Sequence, residues 1–427
     1  MSPTQLDVEV AATAELKQPE PISATVHIER HYKHRGKQMT YAGDRVLYDA
    51  DTHIMELPDF LKKFADPHLR DLLPEVDYGR SLVTNEEVAV IVGNGSQHTS
   101  EHKQSLIALG NRMITEVKEI QALGAFDKHD RVTASDMLGF KKQLVFATHS
   151  LHMPFSPSNK ISDELRYGGA RAHNRHMSDF CSIDDRLMGV AAIPLENPVL
   201  ALTEVQWSLD NGLEAMWVPH RIAANRSPTH IDFNPIWALL QEAQVPVVFH
   251  VGGNPLQLKP EWSNNGRSAT RDWMGGGENV RARDAAVMHQ GIETFVSMLV
   301  LDGVVEEFPK LKFASVELGA GWVPEMLVRL DQIHKAYSRV DERLKSFSRV
   351  PSEQIRQQFG FTPFVFEDVS RLINQSNDDL YLFSSDYPHT EGGRDPIARF
   401  ESCMQTLPRS SVDKFNSSNF RRVFAHA

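Results

Sequence analysis

The sequence predicts an α/β protein, specifically a (β/α)8 TIM barrel with an N-terminal arm and helical insertions. Short runs rich in Val, Leu, Ile and Phe recur along the chain, and longer stretches with helical spacing of apolar residues separate them. This alternation is typical of parallel strands joined by helices. The runs are eight in number, which favours a barrel over a doubly wound open sheet.

Each run is short enough for one buried strand, and the eight lie at 46–51, 143–148, 187–193, 214–219, 245–250, 311–317, 360–366 and 380–385. Two of the spacers have clear helical periodicity. The stretch 198–211 places Leu202, Val205 and Leu209 on one face, and 234–243 follows the same pattern. We therefore expect both to be helices that cover the sheet.

The segments outside these units are unusually long. Residues 1–45 are mostly polar, and we interpret them as an arm that lies outside the core and contacts a neighbouring subunit. Residues 46–427 form the barrel, interrupted by insertions at about 58–140, with a helical stretch at 105–123, and at about 251–290. Loops of this length in compact domains are commonly functional lids.

The composition excludes several classes of protein. The chain has 427 residues, of which 41% are hydrophobic and 24% charged, so it can bury a large core. Its net charge of −11 argues against nucleic-acid binding through bulk charge. Two cysteines form no disulfide framework, and we find neither a signal-peptide core nor a run of about 20 apolar residues. We expect a soluble, cytoplasmic protein without a membrane partner.

Metal-binding residue types follow several of the strand-like runs. Asp51 and His53 stand two apart at the end of the first run, His250 ends the fifth, Glu317 ends the sixth, and Asp386 follows the eighth. The carboxyl ends of barrel strands meet at one mouth. Imidazole nitrogens and carboxylate oxygens gathered there form a typical site for a divalent cation. The pattern therefore predicts a metal centre.

The chain resembles the amidohydrolase superfamily, in the branch that contains aminocarboxymuconate-semialdehyde decarboxylase and γ-resorcylate decarboxylase. Five motifs carry the resemblance: YDADTHIME at 48–56, PVVFHVGG at 246–253, FPKLKF at 308–313, ELGAGWVP at 317–324 and FSSDYPH at 383–389. The likeness covers roughly residues 45–400 and is weak in the insertions. It implies a barrel of the metal-dependent hydrolase type.

The resemblance implies roles for individual residues. The family's first-strand ligand pair falls on Asp51 and His53, the fifth-strand histidine on His250, and the eighth-strand aspartate on Asp386, which would also handle a proton in catalysis. Many relatives have a catalytic histidine where this chain has Glu317. Glu317 could act as a general base, reach the metal, or only support the site, and we retain it as a catalytic candidate.

Further residues lie near the expected mouth. Candidates for a second metal or for support of the first ligands are Glu317, His220, His389 and Glu56. A turn containing His389 and a helix-start role for Glu56 are equally acceptable interpretations. Candidates for binding an anionic or planar substrate are Arg267, Arg271, Trp262 and Trp273 in the fifth loop, unless these aromatic residues simply pack within it.

We expect a metal-dependent hydrolase or carbon–carbon lyase that hydrolyses or decarboxylates a small carboxylated molecule. Zinc is the favoured cation, with manganese and iron as alternatives. Two other functions remain open. The first is an oxygenase (hydroxylase) with a dinuclear Fe or Mn/Fe centre, and the second is a partner subunit of such an enzyme. We expect a homo-oligomer, or a hetero-oligomer with a paralogous chain.

Overall fold

The structure, a computed structural model, describes residues 39–78, 82–254, 258–268 and 280–425. Within these ranges seven strands form one parallel sheet, and their spatial order is their order along the chain. The strands are β1 Tyr48–His53, β2 Lys142–Phe146, β3 Leu187–Ala192, β4 Ala215–Trp217, β5 Val247–Phe249, β6 Phe313–Ser315 and β7 Phe359–Phe361. Because all neighbours are parallel, their carboxyl ends lie at one edge of the sheet.

Seven of the eight predicted strands are present in the described residues, and the eighth is not confirmed, since the run at 380–385 makes only isolated bridges. Its backbone nevertheless contacts both outer strands of the sheet. Leu382 N donates to Phe361 O in β7 at 3.0 Å, and Ala50 N in β1 donates to Phe383 O at 3.0 Å. The eighth run therefore lies beside β7 and β1 without the regular ladder that defines a strand.

Apolar side chains fill the inner face of the sheet. Six strands and the segment 380–387 contribute to one buried cluster that includes Ala50, Leu144, Val190, Ala215, Val248, Ala314 and Leu382. Sequence neighbours such as Val145, Ala191 and Val247 belong to a second cluster that packs against the helices. This alternation follows from the period of two along a strand, and burial on both faces explains why the runs are almost uniformly apolar.

The insertion after β1 is helical: α1 Phe60–Phe64, α2 Asn85–Gly93, α3 Ser100–Leu109, α4 Met113–Glu116 and α5 Lys128–Leu138. The helix expected at 105–123 is broken because Gly110 has φ +61° and Glu119 has φ +57°, both outside the helical region. From α5, the Arg131 guanidinium donates to His53 O at 2.8 Å. The insertion is thus tied directly to the end of β1.

The remaining helices cover the sheet and end the chain: α6 Asp163–Cys181, α7 Pro198–Asp210, α8 Asn234–Ala243, α9 Ala282–Ala285, α10 His289–Leu301, α11 Val304–Glu307, α12 Val323–Tyr337, α13 Glu342–Lys345, α14 Pro351–Gln358, α15 Val369–Gln375, α16 Pro396–Met404, α17 Arg409–Asp413 and α18 Asn419–Val423. The two helices expected from periodicity are α7 and α8. Asn197 caps α7 through the backbone N–H groups of Val199 and Leu200, with Pro198 in its first turn.

Most of the expected arm, residues 1–38, lies outside the described residues. The next residues contact the rest of the fold: Tyr41 N donates to Met137 O at 2.9 Å, and the Tyr41 hydroxyl donates to Asp395 at 2.6 Å. Of the insertion expected at 251–290, residues 255–257 and 269–279 are likewise not described. No helix in the described part of the chain is both long and apolar enough to span a bilayer.

Candidate metal centre

Five candidate residues lie where strands end. Asp51 and His53 belong to β1, His250 directly follows β5, Glu317 stands two residues after β6, and Asp386 follows the eighth run. Their exposed fractions are 1%, 0%, 0%, 8% and 5% in that order. All five side chains are therefore withdrawn from water, at the one edge to which the parallel strands point.

The ring nitrogens and carboxylate oxygens meet at short range. Asp51 Oδ1 is 3.1 Å from His53 Nε2 and 3.3 Å from His250 Nε2. His250 Nε2 is also 3.3 Å from Glu317 Oε2, and His53 Nε2 is 3.5 Å from Asp386 Oδ1. The structure thus brings together all the residues that the sequence nominated as metal ligands, and Glu317 joins them.

The backbone is unusual at two of these positions. Glu317 has φ +52° and Asp386 has φ +55°, in the left-handed region that residues other than glycine rarely adopt. Each is held there by a hydrogen bond: Glu317 N donates to the Thr362 hydroxyl at 2.9 Å, and Asp386 N donates to Asp51 O at 2.8 Å. Such conformations concentrate at functional sites, where surrounding contacts maintain them.

Electrostatics differ between the two aspartates. Burial alone would raise the pKa of Asp51, but the adjacent His250 and His53 outweigh burial and lower it. Burial raises the pKa of Asp386, and the negative charge of Asp51 adds to that effect against the opposing influence of His389 and His53. The site therefore holds one carboxylate that stays ionised beside one that retains a proton more readily.

The donor set fits a divalent cation. Atoms of Asp51, His53, His250 and Glu317 all lie within 4.8 Å of one another. His250 Nδ1 is 3.0 Å from Val251 O, a contact that directs the lone pair of Nε2 toward the carboxylates. Asp386 Oδ2 is buried and accepts no hydrogen bond from the described residues. Two imidazole nitrogens and several carboxylate oxygens are ligands that zinc and manganese both accept.

His389 forms a second donor group with His53 and Asp386. Its ring stacks on that of His53 at a centroid distance of 3.9 Å, and its Nδ1 is 3.1 Å from Asp386 Oδ1. Its Nε2 is 2.9 Å from the Thr148 hydroxyl, which itself donates to Ile54 O. The Nε2 side of the ring therefore faces Thr148, and the Nδ1 side faces the Asp386 carboxylate.

Glu56 and His220 lie outside both donor groups. The buried Glu56 carboxylate accepts backbone N–H bonds from the loop after β2, from Thr148 at 3.0 Å, His149 at 2.9 Å and Ser150 at 2.8 Å. Glu56 therefore fixes the loop that carries Thr148. His220 is buried at the end of β4, where burial, with His250 and Arg221 nearby, lowers its pKa to about 3.

The expected substrate residues are only partly described. Trp262 is 72% exposed, and Arg267 is exposed as well. Arg271 and Trp273 lie outside the described residues. Nothing in the described geometry connects Trp262 or Arg267 to the donor groups, so their role as substrate contacts stays a prediction.

Sequence reasoning missed several residues around the site. Asp49 accepts from Ser385 N at 2.9 Å and from the Ser385 hydroxyl at 2.5 Å, which joins β1 to the segment that carries Asp386. Glu119, from the first insertion, accepts from Thr390 N at 2.9 Å, beside His389. Asp49 stood inside the YDADTHIME motif and could have been considered, whereas no local signal marked Glu119.

Comparison with known proteins gives a family match over most of the chain. The profile of the family described as Amidohydrolase matches residues 49–424. No curated protein sequence matches the chain.

Several solved structures share the fold. An amidohydrolase from Mycobacterium avium subsp. paratuberculosis K-10 superposes with a TM-score of 0.66 at 18% identity, over 89% of this chain and 99% of that one. A 5-carboxyvanillate decarboxylase from Novosphingobium aromaticivorans, complexed with manganese and 4-hydroxy-3-methoxy-5-nitrobenzoic acid, gives 0.58 at 16%, over 91% and 98%. A 2,6-dihydroxybenzoate decarboxylase from Rhizobium gives 0.54 at 16%, over 89% and 99%.

Proposed function

The chain belongs to the amidohydrolase family, and on that premise we propose that it is a metal-dependent enzyme that decarboxylates or hydrolyses a small carboxylated organic molecule. One observation carries the proposal: Asp51, His53, His250 and Glu317 offer four buried donor atoms within 4.8 Å of one another at the strand ends. A buried cluster of this kind is costly unless a cation compensates the carboxylate charges.

We assign the cation to Asp51, His53, His250 and Asp386, with Glu317 as an additional ligand or a base. A divalent cation supplies Lewis acidity, which stabilises developing negative charge and lowers the pKa of bound water. Zinc and manganese both suit these donors. A manganese-bound decarboxylase of the same fold supports manganese as a candidate beside zinc, the cation that the sequence favoured.

Asp386 and His389 would handle the proton. In a decarboxylation the carbon–carboxylate bond breaks, CO2 leaves, and its former carbon partner keeps the electron pair and takes a proton. Asp386 Oδ1 and His389 Nδ1 lie 3.1 Å apart, so a proton carried by either group would be available for that transfer. In a hydrolysis the same pair would instead accept a proton from the attacking water, and Glu317 could assist.

Two structural neighbours that are decarboxylases of aromatic acids favour carboxylated aromatic molecules as the first substrates to examine. We further propose that the segment 380–387, bonded to both β7 and β1, completes an eight-stranded barrel. The comparisons do not favour the dinuclear oxygenase. A partner-subunit role, the arm's contact with a neighbouring subunit and the oligomeric state stay predictions.

The test joins metal analysis to product analysis. The purified chain is loaded with zinc or manganese, dialysed, and analysed for bound metal. It is then incubated with a panel of hydroxylated benzoic acids and small amides, with CO2 release and amide hydrolysis followed separately. We expect about one metal ion per chain and turnover of at least one class. His250→Phe and Asp386→Asn should lower both metal content and turnover.

Two matched variants serve as controls. His129→Phe and Asp232→Asn change the same residue types at positions outside the site. They should leave metal content and turnover unchanged. If the parent protein retains no metal after loading, or if His250→Phe and Asp386→Asn retain as much as the controls, the proposed function is wrong.

A further inference from the structure

Glu119, from the first insertion, holds the turn that carries His389 from both sides. Its backbone N–H donates to Pro388 O at 2.9 Å, which ties down the residue before His389. Its Oε1 atom accepts from Thr390 N at 2.9 Å and from the Thr390 hydroxyl at 3.1 Å, which ties down the residue after it. One residue of the insertion therefore binds the backbone on either side of this histidine.

Two features of Glu119 are unfavourable for a residue that only joins two loops. Its φ of +57° lies in the left-handed region, which residues other than glycine rarely adopt. Its side chain is buried, and Oε2 has no hydrogen-bond partner within the described part of the chain. A strained backbone and an incompletely bonded buried carboxylate both cost free energy. Such costs concentrate at positions that a function maintains, which directs attention to what Glu119 holds in place.

The ring of His389 depends on the position of its backbone. It is fully buried and stacks on His53 at a centroid distance of 3.9 Å. Its Nδ1 is 3.1 Å from Asp386 Oδ1, and its Nε2 is 2.9 Å from the Thr148 hydroxyl. Proton transfer needs heavy atoms about 2.6–3.2 Å apart. A small displacement of the turn would therefore move His389 Nδ1 out of reach of the Asp386 carboxylate.

We propose that Glu119 is a positioning residue for proton transfer, which keeps His389 within proton-transfer distance of Asp386. This inference rests on the proposed function, in which His389 and Asp386 handle the proton. Glu119 acts only through the turn at 388–390 and does not touch the reacting atoms. The first insertion thus contributes to the reaction through one side chain.

The first test observes the His389 ring directly. The 19 histidines are labelled with 15N, and long-range 1H–15N spectra are recorded with and without zinc. The His389 signals are identified by their loss in His389→Phe. Glu119→Ala should move these signals, because it releases Thr390. Glu119→Gly should move them too, and it suits the positive φ, so the local backbone conformation is retained when the side chain is removed.

Two further variants separate positioning from other effects. Glu119→Gln loses the charge but keeps an amide oxygen that can accept from Thr390 N, so the His389 signals should stay close to their position in the parent protein. Glu116→Ala removes a carboxylate from an exposed position in the same insertion. It should leave the His389 signals and turnover unchanged.

The second test uses a substrate identified with the panel described above. Glu119→Ala should lower kcat at least about tenfold, because a displaced acid–base group loses part of a contribution of roughly 100-fold or more. KM should change by less than about twofold, since Glu119 does not contact the substrate. Glu119→Gln should recover most of the lost kcat.

The outcomes separate this inference from the proposed function. Signals of His389 that stay in place in Glu119→Ala and Glu119→Gly overturn the inference. It is also overturned if Glu119→Gln moves them as far as Glu119→Ala, because the charge and not the hydrogen bonds would then be responsible. A protein that binds no metal but shows the expected shifts keeps the positioning of His389 and loses the proposed function. Metal binding and turnover with stationary signals keep the function and overturn the inference.

Discussion

Asp51 Oδ1 lies 3.3 Å from His250 Nε2, although the two residues are 199 positions apart in the chain. The contact spans from β1 to the end of β5, strands that are not neighbours in the sheet. Two such strands can bring their side chains within hydrogen-bond distance only where the sheet curves around a common centre. The proposed metal-binding role of these two residues therefore depends on the curvature of the whole sheet.

Glu317→Gln should weaken metal binding while leaving the fold intact. The substitution keeps the size of the side chain but removes the negative charge 3.3 Å from His250 Nε2. We expect the dissociation constant for zinc to rise at least about tenfold. Mutation of a residue that only supports a ligand typically lowers metal affinity by that much. Competition with a fluorescent chelator measures it. Glu325→Gln, at an exposed position, is the control, and equal affinities in both variants would contradict the assignment.

Glu56→Ala should destabilise the protein. It removes the acceptor of three backbone N–H groups, those of Thr148, His149 and Ser150, and leaves them without that partner. Unsatisfied buried donors cost about 1–3 kcal/mol each without strict additivity, so we expect a loss of about 3 kcal/mol in urea unfolding. Glu56→Gln keeps one acceptor oxygen and should lose less. A Glu56→Ala variant as stable as the parent protein would show that water replaces the carboxylate.

Because His173 is buried, we expect the free energy of unfolding to fall in mild acid. Burial lowers its pKa from 6.5 to about 4, against weaker opposing effects of Asn174 and Glu56. Below pH 6.5 the unfolded chain takes up a proton that the folded chain does not, so this contribution is lost progressively down to about pH 4. The loss amounts to about 2 kcal/mol at pH 5.

Urea unfolding at pH 7 and pH 5 tests the assignment to His173. Between pH 7 and pH 5, the free energy of unfolding of His173→Leu should fall by about 2 kcal/mol less than that of the parent protein. This difference does not depend on the stability of the variant at pH 7. His68→Leu changes an exposed histidine and should follow the parent curve. Identical pH dependence in His173→Leu and the parent protein would rule out His173 as the cause.

Lys118→Met should stabilise the metal-free protein. Lys118 Nζ is buried and has no hydrogen-bond partner among the described residues. Burial lowers its pKa, and the nearby Asp386, Glu119 and Glu391 only partly compensate. Replacing this amine by an apolar side chain of similar length should raise the free energy of unfolding by about 1 kcal/mol, measured in urea with a chelator present.

Lys128→Met, the same substitution at a surface lysine, is the control for Lys118→Met. Lys128 Nζ pairs with Asp179 at 2.8 Å on the surface, so its loss should change stability by less than about 1 kcal/mol, in the unfavourable direction. If Lys118→Met instead destabilises more than Lys128→Met, the attraction between Lys118 and Asp386 exceeds the cost of burial, and the prediction is wrong.

The sequence predicted the strands well because parallel strands buried on both faces leave a clear apolar signature. Seven of the eight runs overlap observed strands, with ends shifted by a few residues. The run at 380–385 has the same composition but only isolated bridges, a difference that depends on hydrogen-bond geometry rather than residue type. The helix predicted at 105–123 is broken in the structure. The break was not predictable, because the spacing of apolar residues does not reveal the left-handed backbone at Glu119.

The proximity of the candidate ligands was predictable because each stands at or just after the carboxyl end of a strand-like run. Parallel strands bring these ends to one edge of the sheet. Lys118 and Glu119 belong to an insertion whose path no local pattern specifies. Their proximity to Asp386 and Thr390 emerges only when the chain has folded.

The bond from Arg131 to His53 O limits how this protein can be simplified. Arg131 is fully buried, and its guanidinium also lies over the Tyr387 ring at 5.4 Å. Removing the first insertion to obtain a smaller protein would remove this hydrogen bond from the end of β1, which carries the candidate ligands Asp51 and His53. A shorter loop in its place would need another hydrogen-bond donor for the His53 carbonyl. The helices of the insertion are therefore part of the framework that positions the end of β1.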